Sequence, residues 1–237
     1  MITNHALAIS SLPRDRFLAE FSLWSADLVN LERDLRRIEA FADLHHIDVA
    51  DGHFTPGYLF FPDLVAQIAK HTKVPIHVHL MVEADSVEAQ MKQFIEAGAS
   101  LISVHAENGA AGLRALKIAA DAGVVGGVVL RLETPVDAIK PFLPHVAMVT
   151  LLGTQIGVKG QSLAATACGR LIEAHGIIAA AGRHDIILAA DGGIRETTVP
   201  DLRAAGAQTV VLGSLAFGDP DLAQRITWLH GLAGLAA

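Results

Sequence analysis

From residue 17 onward the chain alternates short, continuous apolar runs with longer stretches in which apolar positions recur every three or four residues. Runs rich in Val, Ile and Leu read as strands buried on both faces, and the spaced stretches as helices with one apolar stripe. The pattern predicts strands over residues 17–23, 44–49, 76–81, 101–105, 124–130, 146–151, 186–190 and 209–212. Helices are predicted after them over residues 27–40, 62–71, 85–97, 112–122, 135–142, 163–175, 200–205 and 219–235. Leu28, Leu31, Leu35 and Ile38 share one face of the first helix. Pro62 stands near the start of the second, where a missing N–H costs little, and Gly98, Gly123 and Gly206 end three others.

No linker or shift of composition interrupts this rhythm, so residues 17–237 read as one domain. Residues 1–16 match no period and are expected to form a partly ordered extension. Eight strand–helix units in roughly 220 residues predict an α/β fold, a single-domain closed (β/α)8 TIM barrel. An open doubly wound sheet is the competing arrangement. It calls for a glycine-rich dinucleotide fingerprint in an early strand–helix turn, and the first turn, Ser22-Leu23-Trp24-Ser25-Ala26, has none.

Composition narrows the function classes. A net charge of −7 argues against coating nucleic acid or an anionic membrane, yet leaves a small anionic ligand open. Cys168 is the single cysteine, which excludes an intramolecular disulfide and fits a reducing compartment; its apolar setting reads as a buried helix position. The first residues lack a secretory pattern and no apolar run approaches a membrane span, so a cytoplasmic protein is expected.

In such a barrel, chemistry gathers at the C-terminal strand ends. His46-Ile47-Asp48-Val49-Ala50-Asp51-Gly52-His53-Phe54 ends the second strand, and alternation points His46 and Asp48 the same way. Ser22, His77, His79, His105 and Asp191 stand at or near other strand ends. Polar side chains there are costly unless paired or bound. His46, Asp48, His79 and Asp191 make a two-histidine, two-carboxylate site for one divalent metal ion; zinc, iron(II), manganese and cobalt all suit those ligands. The two aspartates also read as a proton-transfer pair. Gly192-Gly193 after strand seven and Gly213-Ser214 after strand eight are where this fold commonly seats a phosphate.

These segments together resemble the ribulose-phosphate 3-epimerases, from Ser22-Leu23-Trp24-Ser25-Ala26-Asp27-Leu28 and His46 to Phe54, through His77-Val78-His79-Leu80-Met81-Val82 and Val104-His105-Ala106-Glu107, to Asp191-Gly192-Gly193-Ile194 and Gly213-Ser214. The resemblance implies a metal-dependent isomerase inverting C3 of a ketose phosphate, D-ribulose 5-phosphate to D-xylulose 5-phosphate. It places the metal on His46, Asp48, His79 and Asp191, and two-aspartate proton transfer through a cis-enediolate on Asp48 and Asp191. Ser22, His79, Gly192, Gly193, Gly213 and Ser214 fall on substrate-contacting positions. It also implies a homo-oligomer.

Three departures bear on the substrate. The flap after strand six, Asn-Pro-Gly-Phe-Gly-Gly-Gln in the family, reads Gln155-Ile156-Gly157-Val158-Lys159-Gly160-Gln161 here, and Gly157, Lys159 and Gly160 are expected to touch substrate, Lys159 adding a point charge to the phosphate grip. Ala50 replaces a methionine that lines the family's cavity. His77 stands where an aspartate is common and reads as a core histidine. These leave room for a sister 3-epimerase acting on allulose 6-phosphate or a tetrulose phosphate. A metal-free decarboxylase or isomerase of the same superfamily would need a strand-end lysine, and none is present. A non-catalytic sugar-phosphate binder has no use for both aspartates and both histidines.

Overall fold

Eight strands pair in parallel in chain order, and the last closes on the first: β1 (Leu18–Ser22), β2 (Leu44–Ala50), β3 (Ile76–Met81), β4 (Leu101–His105), β5 (Val125–Leu130), β6 (Met148–Leu152), β7 (Ile187–Asp191) and β8 (Thr209–Leu212). This computed structural model describes residues 5–234. The architecture is the expected TIM barrel. Around it stand α2 (Leu31–Ile38), α3 (Pro62–His71), α4 (Val87–Glu96), α5 (Gly109–Asp121), α6 (Ala167–Ala180), α7 (Val199–Ala204), α8 (Ser214–Phe217) and α9 (Leu222–His230), after an N-terminal helix, α1 (His5–Ser10). The apolar strand residues that face outward, such as Ile47, Val78, Ile102 and Val149, pack on these helices in one continuous core.

Three predicted helices differ in form. Over residues 135–142 the chain makes 3₁₀ turns, Val136–Ile139 and Leu143–His145, closed by bonds such as Ala138 N–H to Pro135 O and Phe142 N–H to Ile139 O. Pro141 and Pro144 lack the N–H donors that an α-helix needs there. The helix predicted from 163 begins only at Ala167, after irregular residues 161–164 and a turn at Ala165-Thr166. The last predicted helix, over 219–235, is the shorter α9, which starts after Pro220 with the Asp221 side chain accepting from Gln224 N–H as its cap, and the unpredicted short α8 precedes it.

Inside the barrel, alternation stacks the inward side chains in layers. The lowest is apolar: Leu18, Leu44, Leu101, Met148, Ile187 and Ala189, closed from below by Ile9 of α1 and Leu12. The next is polar and equally buried, holding Glu20, His46, His77, Ser103 and Thr150. Above it lie Ser22, Asp48, His79, His105 and Asp191 at the open end. The polar layers are what the strand pattern carries for the site.

Candidate active site

Register fixes the neighbours. Ser22 on β1 pairs with His46 on β2, and Asp48 on β2 pairs with His79 on β3. Asp191, the last residue of β7, reaches the same point from across the barrel. One donor atom from each of His46, Asp48, His79 and Asp191 falls within 4.8 Å of all the others. His46 Nε2 stands 3.3 Å from Asp48 Oδ1, and His79 Nδ1 stands 3.6 Å from the same oxygen and 4.0 Å from Asp191 Oδ2. None of the three has the geometry of a hydrogen bond, and His46 Nε2 and His79 Nδ1 are buried without a hydrogen-bond partner among the described residues. Two lone pairs and two carboxylates converging on one point are a donor set that a divalent cation completes. The residues fit the metal.

The other nitrogen of each histidine is occupied. His46 Nδ1 lies 2.7 Å from Glu20 Oε1. His79 Nε2 lies 2.8 Å from His105 Nε2, and His105 Nδ1 lies 3.0 Å from Glu107 Oε2. Assigned from these partners, His105 donates to Glu107 and accepts from His79, which leaves His79 Nδ1 as a lone pair. Burial pushes His105 down to about 4 despite Glu107, so the His105 ring is neutral. Glu107 also takes the Thr134 hydroxyl and Arg131 N–H, and stays ionised, held down to about 2 against its own burial by His105.

The two aspartates differ sharply. Burial would raise Asp48, but His46 and then His79 overcome it and hold its carboxyl well below the usual range. The Ser22 hydroxyl adds a 2.7 Å hydrogen bond to Asp48 Oδ2. Asp191 lacks such donors; burial, with Asp48 nearby, pushes it up to about 6 against the pull of His46. Burial lowers His46, yet Asp48 and Glu20 together raise it well above its ordinary value. Carboxylates that draw a proton onto His46 draw a cation equally, so metal and proton compete here.

A cavity of about 320 Å³ opens above these groups. Its walls bring together the residues expected to touch substrate and three of the four expected to hold metal: Ser22, Asp48, His79, Gly157, Lys159, Gly160, Asp191, Gly192, Gly193, Gly213 and Ser214. His46 lies beneath it, fully buried. Gly193 (φ +72°) has no room for a side chain, because a Cβ would stand 2.7 Å from Leu163 Cα. Gly157 (φ +73°) rests against the Thr55 hydroxyl, docking the flap onto the loop after β2. Lys159 crosses the mouth, donating from Nζ to Trp24 O at 2.5 Å and lying 4.5 Å over the Trp24 ring. Ala50 is buried away from this cavity, and its register partner Met81 lines it.

Sequence reasoning missed Glu20 and Ser103. His77, read as a core histidine, joins them, with Nδ1 2.5 Å from Glu20 Oε1 and Nε2 2.7 Å from Ser103 Oγ. The signal for Glu20 was an acid two residues before Ser22 in an otherwise apolar strand, which alternation puts on the inward face.

Comparison with known proteins agrees with the site. A sequence model of the Ribulose-phosphate 3 epimerase family matches residues 18–217. The chain is 33% identical over 211 residues to the ribulose-phosphate 3-epimerase of Bacillus subtilis (strain 168), covering 89% of this chain and 96% of that protein. It is 32% identical over 213 residues to that of Helicobacter pylori (strain ATCC 700392 / 26695), covering 89% and 95%. Among solved structures, orotidine 5'-phosphate decarboxylase from Pyrococcus horikoshii OT3 superposes with a TM-score of 0.65 over 90% of this chain and 97% of its own, at 13% identity, a likeness of fold. Barrel, strand-end residues and sequence relatives agree: the chain belongs to the ribulose-phosphate 3-epimerase family and is an enzyme of the isomerase class.

Proposed function

We propose that the protein is a metal-dependent 3-epimerase interconverting D-ribulose 5-phosphate and D-xylulose 5-phosphate; the names of its relatives give ribulose phosphate as the substrate. The observation that carries the reading is the aspartate pair: two carboxyls at one cavity, Asp48 driven far down and Asp191 raised to about 6. Groups separated in this way divide the roles of base and acid near neutral pH.

In this reading Asp48 Oδ1 or Oδ2 takes the C3 proton from one face of the sugar, leaving a planar enediolate. Asp191, protonated, returns a proton to C3 from the other face. The reverse reaction exchanges their roles. Ser22 holds Asp48 in place through its hydrogen bond. A divalent ion held by His46, Asp48, His79 and Asp191 would supply stabilisation of the negative charge that develops on the substrate oxygens. The turns at Gly192-Gly193 and Gly213-Ser214, which line the cavity, would present backbone N–H groups to the phosphate. Lys159 would meet that phosphate from the flap, exchanging its contact with Trp24 for one with substrate.

The Asp191→Asn variant tests the two-base scheme. With metal content checked, so that loss of a ligand is told apart from loss of the acid, it is expected to lose about 10³-fold or more in kcat, because the group that returns the proton is removed. Near-native epimerisation with metal bound would sink the scheme. A second reading, a 3-epimerase for a longer or shorter ketose phosphate, is favoured by one observation: Lys159 lines the cavity at a flap position where the family pattern has glycine.

A further inference from the structure

A carboxylate buried below the floor of a cavity touches no substrate, and it costs the fold a desolvated charge. Glu20 is such a group. It is fully buried in the middle layer of the barrel, directly above a layer of leucine, isoleucine and methionine that shows how cheaply the space is filled without charge. Its Oε1 lies 2.7 Å from His46 Nδ1 and 2.5 Å from His77 Nδ1.

Glu20, His46 and His77 also bring three ligand atoms together. The distances decide against a second ion. Two atoms bonded to one ion at about 2.1 Å, with an angle near or above a right angle, stand roughly 3 Å apart or farther. The 2.5 Å and 2.7 Å separations at Glu20 are those of hydrogen-bonded atoms.

We infer that Glu20 is a positioning residue for the metal centre: by accepting the Nδ1 proton of His46 it fixes the imidazole tautomer whose Nε2 lone pair faces Asp48, His79 and Asp191. This rests on the reading of those four side chains as metal ligands. The unpartnered Nε2 of His46 is what that tautomer leaves behind. His77 completes the arrangement as the second donor to Glu20, with its own Nε2 accepting from the Ser103 hydroxyl at 2.7 Å. It keeps the carboxylate aimed from β1 towards β2. Carboxylate partners of this kind raise the basicity of a ligating imidazole and hold its ring. Since His46 and His77 are register partners on β2 and β3, a carboxylate placed at position 77 would reach His46 from the opposite side.

The test uses cobalt(II), titrated into the metal-stripped full chain against a competing chelator, with visible absorption and thermal midpoint followed for each variant. Glu20→Ala is expected to weaken cobalt binding about 10- to 100-fold and to change the absorption bands. Glu20→Gln keeps an acceptor oxygen without the charge, and should fall between native and alanine. Adding His77→Asp to Glu20→Ala should recover most of the lost affinity and the native bands. Native affinity and spectrum in Glu20→Ala would overturn the inference. A loss that His77→Asp leaves untouched, in a protein melting at the native midpoint, would overturn it too. If Glu20→Ala does not fold, Glu20→Gln decides, and native affinity there is contrary. Failure of the native chain itself to bind cobalt would overturn the four-ligand reading and this inference with it.

Discussion

At the scale of single residues, the site works by placing like groups in unlike surroundings. Asp48 accepts from Ser22 and faces two imidazoles, while Asp191 faces Asp48 and few donors, so one carboxyl ionises far more readily than the other. Lys159 is the residue most open to test. Its ammonium sits over Trp24 at the cavity mouth, where burial lowers its pKa and Asp48 draws it back. If it grips phosphate, Lys159→Ala should raise KM about tenfold with kcat within about twofold, the loss of one charge-assisted contact. An unchanged KM across salt concentrations would assign Lys159 to the flap's fastening alone. Asp48, His79 and Asp191 were legible in the sequence because they stand at or near the open ends of apolar strands, and His46 because it lies two residues before Asp48 on the same face. Glu20 lies in the layer of His46, below the strand ends, and only its contact with His46 Nδ1 gives it a role.

At the scale of elements, two contacts outside the barrel wall control the site and its stability. The flap rests on the loop after β2 through Gly157 and Thr55, and Gly157 is held at φ +73°. Gly157→Ala would meet both a disfavoured backbone conformation and the Thr55 side chain. We expect it to cost about 1–2 kcal/mol and to raise KM more than it lowers kcat, read by denaturant titration and steady-state kinetics. At the opposite end, α1 closes the barrel floor with Ile9, which is 2% exposed against Leu18, Leu44 and Leu101. Ile9→Ala should therefore destabilise by about 2–5 kcal/mol with kinetics unchanged, since the cavity opens at the other end. A shift below about 0.5 kcal/mol would show that α1 does not seal the floor. The strands were legible almost residue by residue, because burial on both faces leaves a continuous apolar run. The helix after β5 was not: spaced apolar residues promised one, and Pro141 and Pro144 turned it into 3₁₀ turns. Residues 5–16 hid their helix because its packing surface is the barrel floor, which no local period announces.

At the scale of the whole molecule, the barrel buries carboxylates and imidazoles in a donor set that a divalent ion would complete, and pH should reveal their charge. Asp191 is raised to about 6 in the metal-free fold, against about 3.9 for an unfolded carboxyl. A raised acid stabilises the fold below its unfolded value, and that contribution is lost as pH climbs through the folded one. Metal-free protein should thus lose up to about 3 kcal/mol between roughly pH 4 and pH 6 from this group, and Asp191→Asn should not show that loss. Equal slopes in both proteins would contradict the assignment. The fold class could be read from rhythm alone, and the site from its interruptions. The substrate's length could not, because it depends on how Lys159 and Met81 share the mouth and wall, which is a matter of three-dimensional reach.

The central claim is that this chain moves a proton at C3 of a ketose phosphate. Its most direct test is incubation of the metal-loaded protein in deuterium oxide with ribulose 5-phosphate, and in parallel with a hexulose and a tetrulose phosphate, reading label by NMR. The account predicts one deuterium entering at C3 of ribulose 5-phosphate together with appearance of xylulose 5-phosphate, and no exchange with Asp48→Asn. Exchange confined to the hexulose or tetrulose phosphate would keep the mechanism and move the substrate. No exchange at C3 of any of them, with the metal verified in place, would contradict the account.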